Sequence, residues 1–306
     1  MTPRSIGCLA LAIFSVLLIT RAGSAQQMAD PHFDATVERP AFTKNFPRVL
    51  FDEAHNNFHT ASGRYKPFAD LIFSDGYQVV VNRKPFSKLS FQTFKILVIA
   101  NALGAEDMDD EGADGAAFTD EESDAVRDWV HDGGCLLLIA DHAPFGAAAE
   151  SLAKRFGVSM SKGFVFDPEH SLPAAPSLLI FSRENKLLLA HPITQGRNEA
   201  ERINRVQTFT GQALKGPENS AGFLKLSDTA KDAPSRGSSE SVSVAGQFQA
   251  IAFKFGKGRV VIMGEAAMLS AQVTGPQSIP MGMNFPGSDN KQLALNIMHW
   301  LSGLLK

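Results

Sequence analysis

The sequence predicts an α/β protein built on a mostly parallel sheet, closed at its C-terminal end by a β-hairpin and a final helix. Three observations carry this expectation. Short apolar runs, "RVLF", "YQVVV", "KILVIA" and "CLLLIA", alternate with helical patterns, and strands apolar at every position belong to a sheet covered on both faces. "AIAFKFGKGRVVIMGE" holds two apolar runs joined through Gly-Lys-Gly, a hairpin signal. "NKQLALNIMHWLSGLL" sets Leu293, Ile297, Leu301 and Leu304 on one helical face.

The elements follow in chain order. Residues 1–25 have the layout of an export signal: Arg4, the apolar core "CLALAIFSVLLI", then "AGSA" before "QQ". The expected destination is the periplasm or the outside of the cell, with no membrane span once the signal is removed. Residues 26–47 are polar and proline-bearing, which suits an extended lead-in. Residues 48–306 then read as one domain. After the first strand, Tyr65, Phe68, Ala69 and Ile72 recur at helical spacing up to Gly76. Thr119 and Glu122 form a capping-box pattern ahead of Ala125, Val126, Trp129 and Val130, and Gly133 and Gly134 end that helix. "GAAAESLAKRFG" reads as a further helix of small residues. "PSLLIF" and "RVQTF" suggest strands, and 215–247, rich in Gly, Ser, Pro and charge, suggests a surface excursion.

A net charge of −3 without a basic stripe argues against a nucleic-acid partner. Of Cys8 and Cys135, only the second survives signal removal, so no internal disulfide forms. Cys135 opens an apolar strand, the setting of a buried and inert thiol.

In open α/β sheets, ligands bind beyond the carboxyl ends of the strands, where loops and helix N-termini converge. The residues at those ends are Asp52, Glu53, His55 and Asn56 after the first run, Asn82 after the second, and Asn101 after the third. Asp141 and His142 follow "LLLIA", and Glu265 follows "VVIMG". Asp141, His142 and Glu265 are the candidate catalytic groups. Asp52, Glu53, His55, Asn56, Asn101 and Asn284 are the candidate ligand-binding groups. Asn284 lies in the loop 275–290, which is long enough to lie over the rim. His55 and His59 stand four apart, one helical turn, and with Asp141 and His142 they offer imidazole and carboxylate ligands that suit zinc or manganese. Neither a phosphate loop nor a nucleophile elbow with Ser or Cys is present: the turn after the fourth strand reads "ADHAPFG".

"RVLFDEAHNN", "FTDEESDAVRDWVHDGGCLLLIADHAPF", "HPITQGR" and "GKGRVVIMGEAAMLSA" together resemble the class I glutamine amidotransferase-like superfamily. More narrowly they resemble an exported branch related to gliding-motility and transport-associated domains. The resemblance covers about residues 48–303 and implies a flavodoxin-like three-layer sandwich. Active members carry a catalytic Cys at the elbow, where this chain has Asp141 and His142, so cysteine amidotransferase activity is not implied.

Two functions fit these residues. One is an exported domain that binds a small polar ligand, or an envelope protein partner, at the rim. The other is a hydrolase at the same rim, using a metal or a carboxylate–imidazole pair, with His142 or His55 as base and Glu53 or Glu265 as partner.

Overall fold

Alternating residues of each apolar run face opposite sides of one sheet and bury two separate cores. The computed structural model describes residues 27–173 and 175–306; the expected export signal, 1–25, lies outside the described residues. The central elements are β1 (Arg48–Asp52), α1 (Lys66–Ser74), β2 (Gln78–Asn82), β3 (Ile96–Ala100), α2 (Asp120–His131) and β4 (Cys135–Ile139). They continue as α3 (Glu150–Arg155), β5 (Ser159–Met160), β6 (Leu214–Lys215) and β7 (Ala221–Lys225). The hairpin β8 (Phe248–Phe255) and β9 (Gly258–Met263) and the helix α4 (Asn290–Ser302) complete them.

The protein is mixed α/β, with a nine-stranded sheet in the order β2-β1-β3-β4-β9-β8-β6-β5 and β7 also paired to β8. The five strands from β2 to β9 are parallel; the pairs beyond β9 are antiparallel. Val49, Phe51, Val98 and Leu137 pack on one face with Leu71, Ile72, Leu293 and Ile297 from α1 and α4. Leu50, Leu97, Leu138 and Ile262 pack on the other with Val126, Val130 and Leu152 from α2 and α3. A period of two on a strand buried on both faces produces this split.

Three small antiparallel sheets surround the central one: Met28–Ala29 with Ala271–Thr274 and Ile279–Gly282, Arg205–Gln207 with Ala175–Ser182 and Ser171–Leu172, and Val242–Ser243 with Lys231–Ala233 and Phe164–Phe166.

Several local expectations need correction. "GAAAESLAKRFG" forms two short helical segments, Phe145–Ala148 and Glu150–Arg155. Residues 215–247 are more than a surface excursion, because β7 joins the sheet and buries Phe223 and Leu224. The polar bias of that stretch hid a five-residue strand. The expected extended lead-in, described from residue 27, lies against the domain: Met28–Ala29 pairs with Gln272 and Val273, and Phe33, Ala35 and Val37 pack on the core. The loop 275–290 carries a strand, Ile279–Gly282, and Leu304 falls past the end of α4.

Candidate functional site

The parallel strands point their carboxyl ends the same way, and the chain reverses its winding between β1 and β3. β2 lies on one side of β1, and all later parallel strands lie on the other. Helices and loops diverge at such a point and leave a crevice. A cavity of about 280 Å³ opens there. His59 and Arg64 come from the loop after β1, Asn101 and Met108 from the loop after β3, and Asp141, His142 and Phe145 from the turn after β4. Residues on or next to the small sheets supply the outer wall: Gln27, Phe209, Arg236, Gln272 and Met281.

Asn101 organises the floor. It is fully buried with φ of 51°, in the left-handed region that Asn tolerates better than most residues. Its Oδ1 accepts from the Asp141 backbone N–H at 3.0 Å, and its carbonyl accepts from the Phe58 N–H at 2.9 Å. A backbone N–H only donates, so the amide orientation is fixed and Nδ2 is the donor toward His59 Nδ1, at 2.9 Å. The proton of His59 therefore sits on Nε2. Burial, the nearby Arg64 charge and His142 push the His59 pKa down to about 3. His59 thus lines the cavity as a neutral hydrogen-bond donor.

The same reasoning fixes His142. Its Nδ1 donates to the Ala143 carbonyl at 2.7 Å, which leaves Nε2 to accept from the Arg236 guanidinium at 2.9 Å. The ring stacks on Phe164 with centroids 4.6 Å apart, and Arg236 lies over the same ring. The turn that carries His142 is held from below by Gln212, whose Nε2 donates to the Ala140 and Asp141 carbonyls and whose Oε1 accepts from the Lys162 N–H. Gly146 is needed here, since a Cβ would stand 2.3 Å from Gln212 Oε1.

Asp141 lines the cavity, with Oδ1 accepting the His142 N–H at 2.7 Å. Glu265 lies fully buried and does not line the cavity. Burial and the charge of Asp141 push its pKa well above the usual carboxylate range, against the pull of the Met268 and Ala267 amides. Those amides donate to Glu265 at 2.8 and 2.7 Å and tie it to the 3-10 turn Ala267–Leu269.

The remaining predicted residues serve the frame. His55 is buried between the rings of Phe86 and Phe118, each 4.6 Å away, outside the cavity. Its Nδ1 lies 2.8 Å from Asp52 Oδ2 and its Nε2 3.0 Å from Glu122 Oε1. Burial alone would lower its pKa, but the two carboxylates outweigh it and raise the pKa above the ordinary 6.5. Glu53 accepts from the Ala61 N–H and from Arg83. Asn56 is exposed with φ of 47°. Asn284 donates to Asp30 and to the Gln272 carbonyl, which pins the lead-in to the outer wall.

Of the expected zinc or manganese ligands, His59, Asp141 and His142 line the cavity and His55 lies outside it. The loop holding His55 and His59 is not helical, and both nitrogens of His55 are already engaged. One nitrogen of His59 and both of His142 are likewise engaged. Among the described residues, no group of three or more His, Cys, Asp or Glu side chains is disposed to hold a metal ion.

Glu122 was legible only as a helix cap. It does close the capping box with Thr119, and its carboxylate also accepts from the Phe86 N–H and meets His55. Glu122→Ala leaves these donors without an acceptor and should lower stability by about 2 kcal/mol, read by urea denaturation. Glu122→Gln, which keeps one acceptor oxygen, should lose less. Arg64, Arg236, Gln212 and Gln272 carried no sequence signal beyond their positions after apolar runs or inside a polar stretch.

The sequence matches no family model and no curated protein. Among solved structures, the N-terminal domain of mmIFT52 is similar with a TM-score of 0.59, at 12% identity over 84% of this chain and 97% of that chain. A cytoplasmic protein of Salmonella typhimurium LT2 scores 0.49 at 14% identity, over 84% of this chain and 99% of its own. A ThuA-like protein of Bacteroides uniformis scores 0.45 at 12% identity, over 91% and 97%. At 12% identity the likeness to the mmIFT52 domain is one of fold.

Proposed function

We propose that this chain is an exported domain of flavodoxin-like architecture that binds a small polar ligand in the rim cavity, without cysteine amidotransferase chemistry. The parallel order β2-β1-β3-β4-β9 supports the flavodoxin-like reading, since that class places its ligand where the winding reverses. The observation that carries the binding reading is the state of the two cavity histidines. His59 offers Nε2–H and has its Nδ1 lone pair engaged; His142 has its Nε2 lone pair engaged by Arg236. Neither presents a free basic nitrogen to a substrate, whereas both hold fixed polar geometry around a concave space. General-base hydrolysis by an imidazole needs such a nitrogen. Fixed donors and acceptors around a cavity suit recognition instead.

The test is a thermal-shift panel of small polar metabolites against the wild type and Met281→Trp, which fills the cavity mouth from its outer wall. At least one compound should raise the wild-type midpoint by a few degrees, and the shift should vanish in the variant. Turnover of an amide, ester or glycoside by the wild type, lost in His142→Ala, would overturn the binding reading.

A further inference from the structure

We infer that the ligand of this cavity is a small anion, a carboxylate with an adjacent hydroxyl or ammonium, held between Arg64 and Arg236 with its neighbouring donor on Asp141. This rests on the cavity being a ligand site, and it adds the ligand's charge and shape. Arg64 is half-buried over the Phe58 ring at 4.1 Å, and burial lowers its pKa. Among the described residues, its guanidinium makes neither a hydrogen bond nor an ion pair. Half-burying a cation without a carboxylate carries a solvation cost, and the wall keeps it. Arg236, an exposed residue, lines the same cavity and gives one N–H to His142 Nε2, with no carboxylate partner among the described residues.

The wall therefore holds two guanidinium groups, a neutral donor at His59 and one carboxylate, Asp141. Guanidinium forks match planar oxyanions through paired hydrogen bonds. Asp141 has Oδ1 on the His142 amide, and its Oδ2, with no protein donor among the described residues, is left to accept from the ligand. A carboxylate flanked by a hydroxyl donor or an ammonium satisfies both ends at once. The volume of about 280 Å³ is near the lower limit of roughly 300 Å³ for small-molecule sites. It suits a hydroxy acid or an amino acid and is too small for a nucleotide.

Titration calorimetry with D-gluconate, L-threonine and the neutral polyol glucitol tests this. Gluconate binding identifies a hydroxy-acid ligand and threonine binding an amino-acid ligand. Whichever acid binds should be weakened about tenfold or more by Arg64→Met, less by Arg64→Lys, which keeps the charge and loses the fork, and again by Asp141→Asn. Glucitol should bind at least about tenfold more weakly than gluconate. Equal binding of glucitol and gluconate, abolished by Met281→Trp, overturns the charge assignment while the cavity remains a binding site. Binding of either acid that is unchanged in Met281→Trp overturns the site itself. No binding of either acid at about 10 mM, an affinity weaker than roughly 3 kcal/mol, overturns the assigned ligand class. In that case the metabolite panel decides separately whether the cavity binds anything.

Discussion

Asn101→Ala should destabilise the protein by about 4 kcal/mol, combining two buried groups left unpaired at about 1–3 kcal/mol each with the cost of a left-handed backbone. The groups are the Asp141 N–H and His59 Nδ1, both of which lose their partner. Alanine at φ of 51° adds strain that Asn tolerates. For a chain of this size the melting midpoint should drop by roughly 10 °C. Asn101→Gly separates the two contributions: it relieves the backbone and should recover about 1 kcal/mol, leaving the hydrogen-bond loss. Equal stability of Asn101→Ala and the wild type would show that the floor of the cavity is not built on this side chain.

Acid should unfold the protein through His59. Its folded pKa of about 3 lies below the ordinary 6.5, so between these values the unfolded chain binds a proton that the folded chain excludes. Stability from this group is complete above about pH 7.5 and falls as the pH drops through 6.5 toward 3, by on the order of 5 kcal/mol over the full window. His191, whose pKa burial lowers to about 4, acts in the same direction over a narrower range. Urea denaturation at a series of pH values should show this loss, and His59→Asn should flatten the part due to His59. A profile identical in the variant and the wild type would mean that His59 titrates freely in the folded protein.

The sequence made the rim legible because parallel strands buried on both faces must end in their first polar residues, and the direction of a parallel sheet brings those ends together. Asp52, Asn82, Asn101, Asp141 and Glu265 all lie at that edge. What each of them does there was not legible, because it depends on partners distant in the chain. His55 looked like a ligand until Glu122, 67 residues away, occupied its second nitrogen. Glu265 stood among the candidate catalytic groups as partner to a histidine base, but the turn that follows it folds over and buries it. Arg236 lay in a stretch whose Gly, Ser and charge content signalled only surface, and the hairpin pairing Lys231–Asp232 with Val242–Ser243 carries it to the cavity. Local composition reports an element's exposure, whereas pairing across the fold decides which side chain reaches the site.

The measurement that tests the account most directly is a long-range proton–nitrogen NMR spectrum of the imidazole rings, recorded from pH 7.5 down to 4.5 with and without gluconate. It should show His59 as the neutral Nε2–H tautomer throughout, against an ordinary pKa of 6.5, and its Nε2–H resonance should move on ligand addition. A His59 that carries its proton on Nδ1, or that titrates near pH 6.5, would contradict the claim that His59 presents a locked donor and no free imidazole base to the cavity.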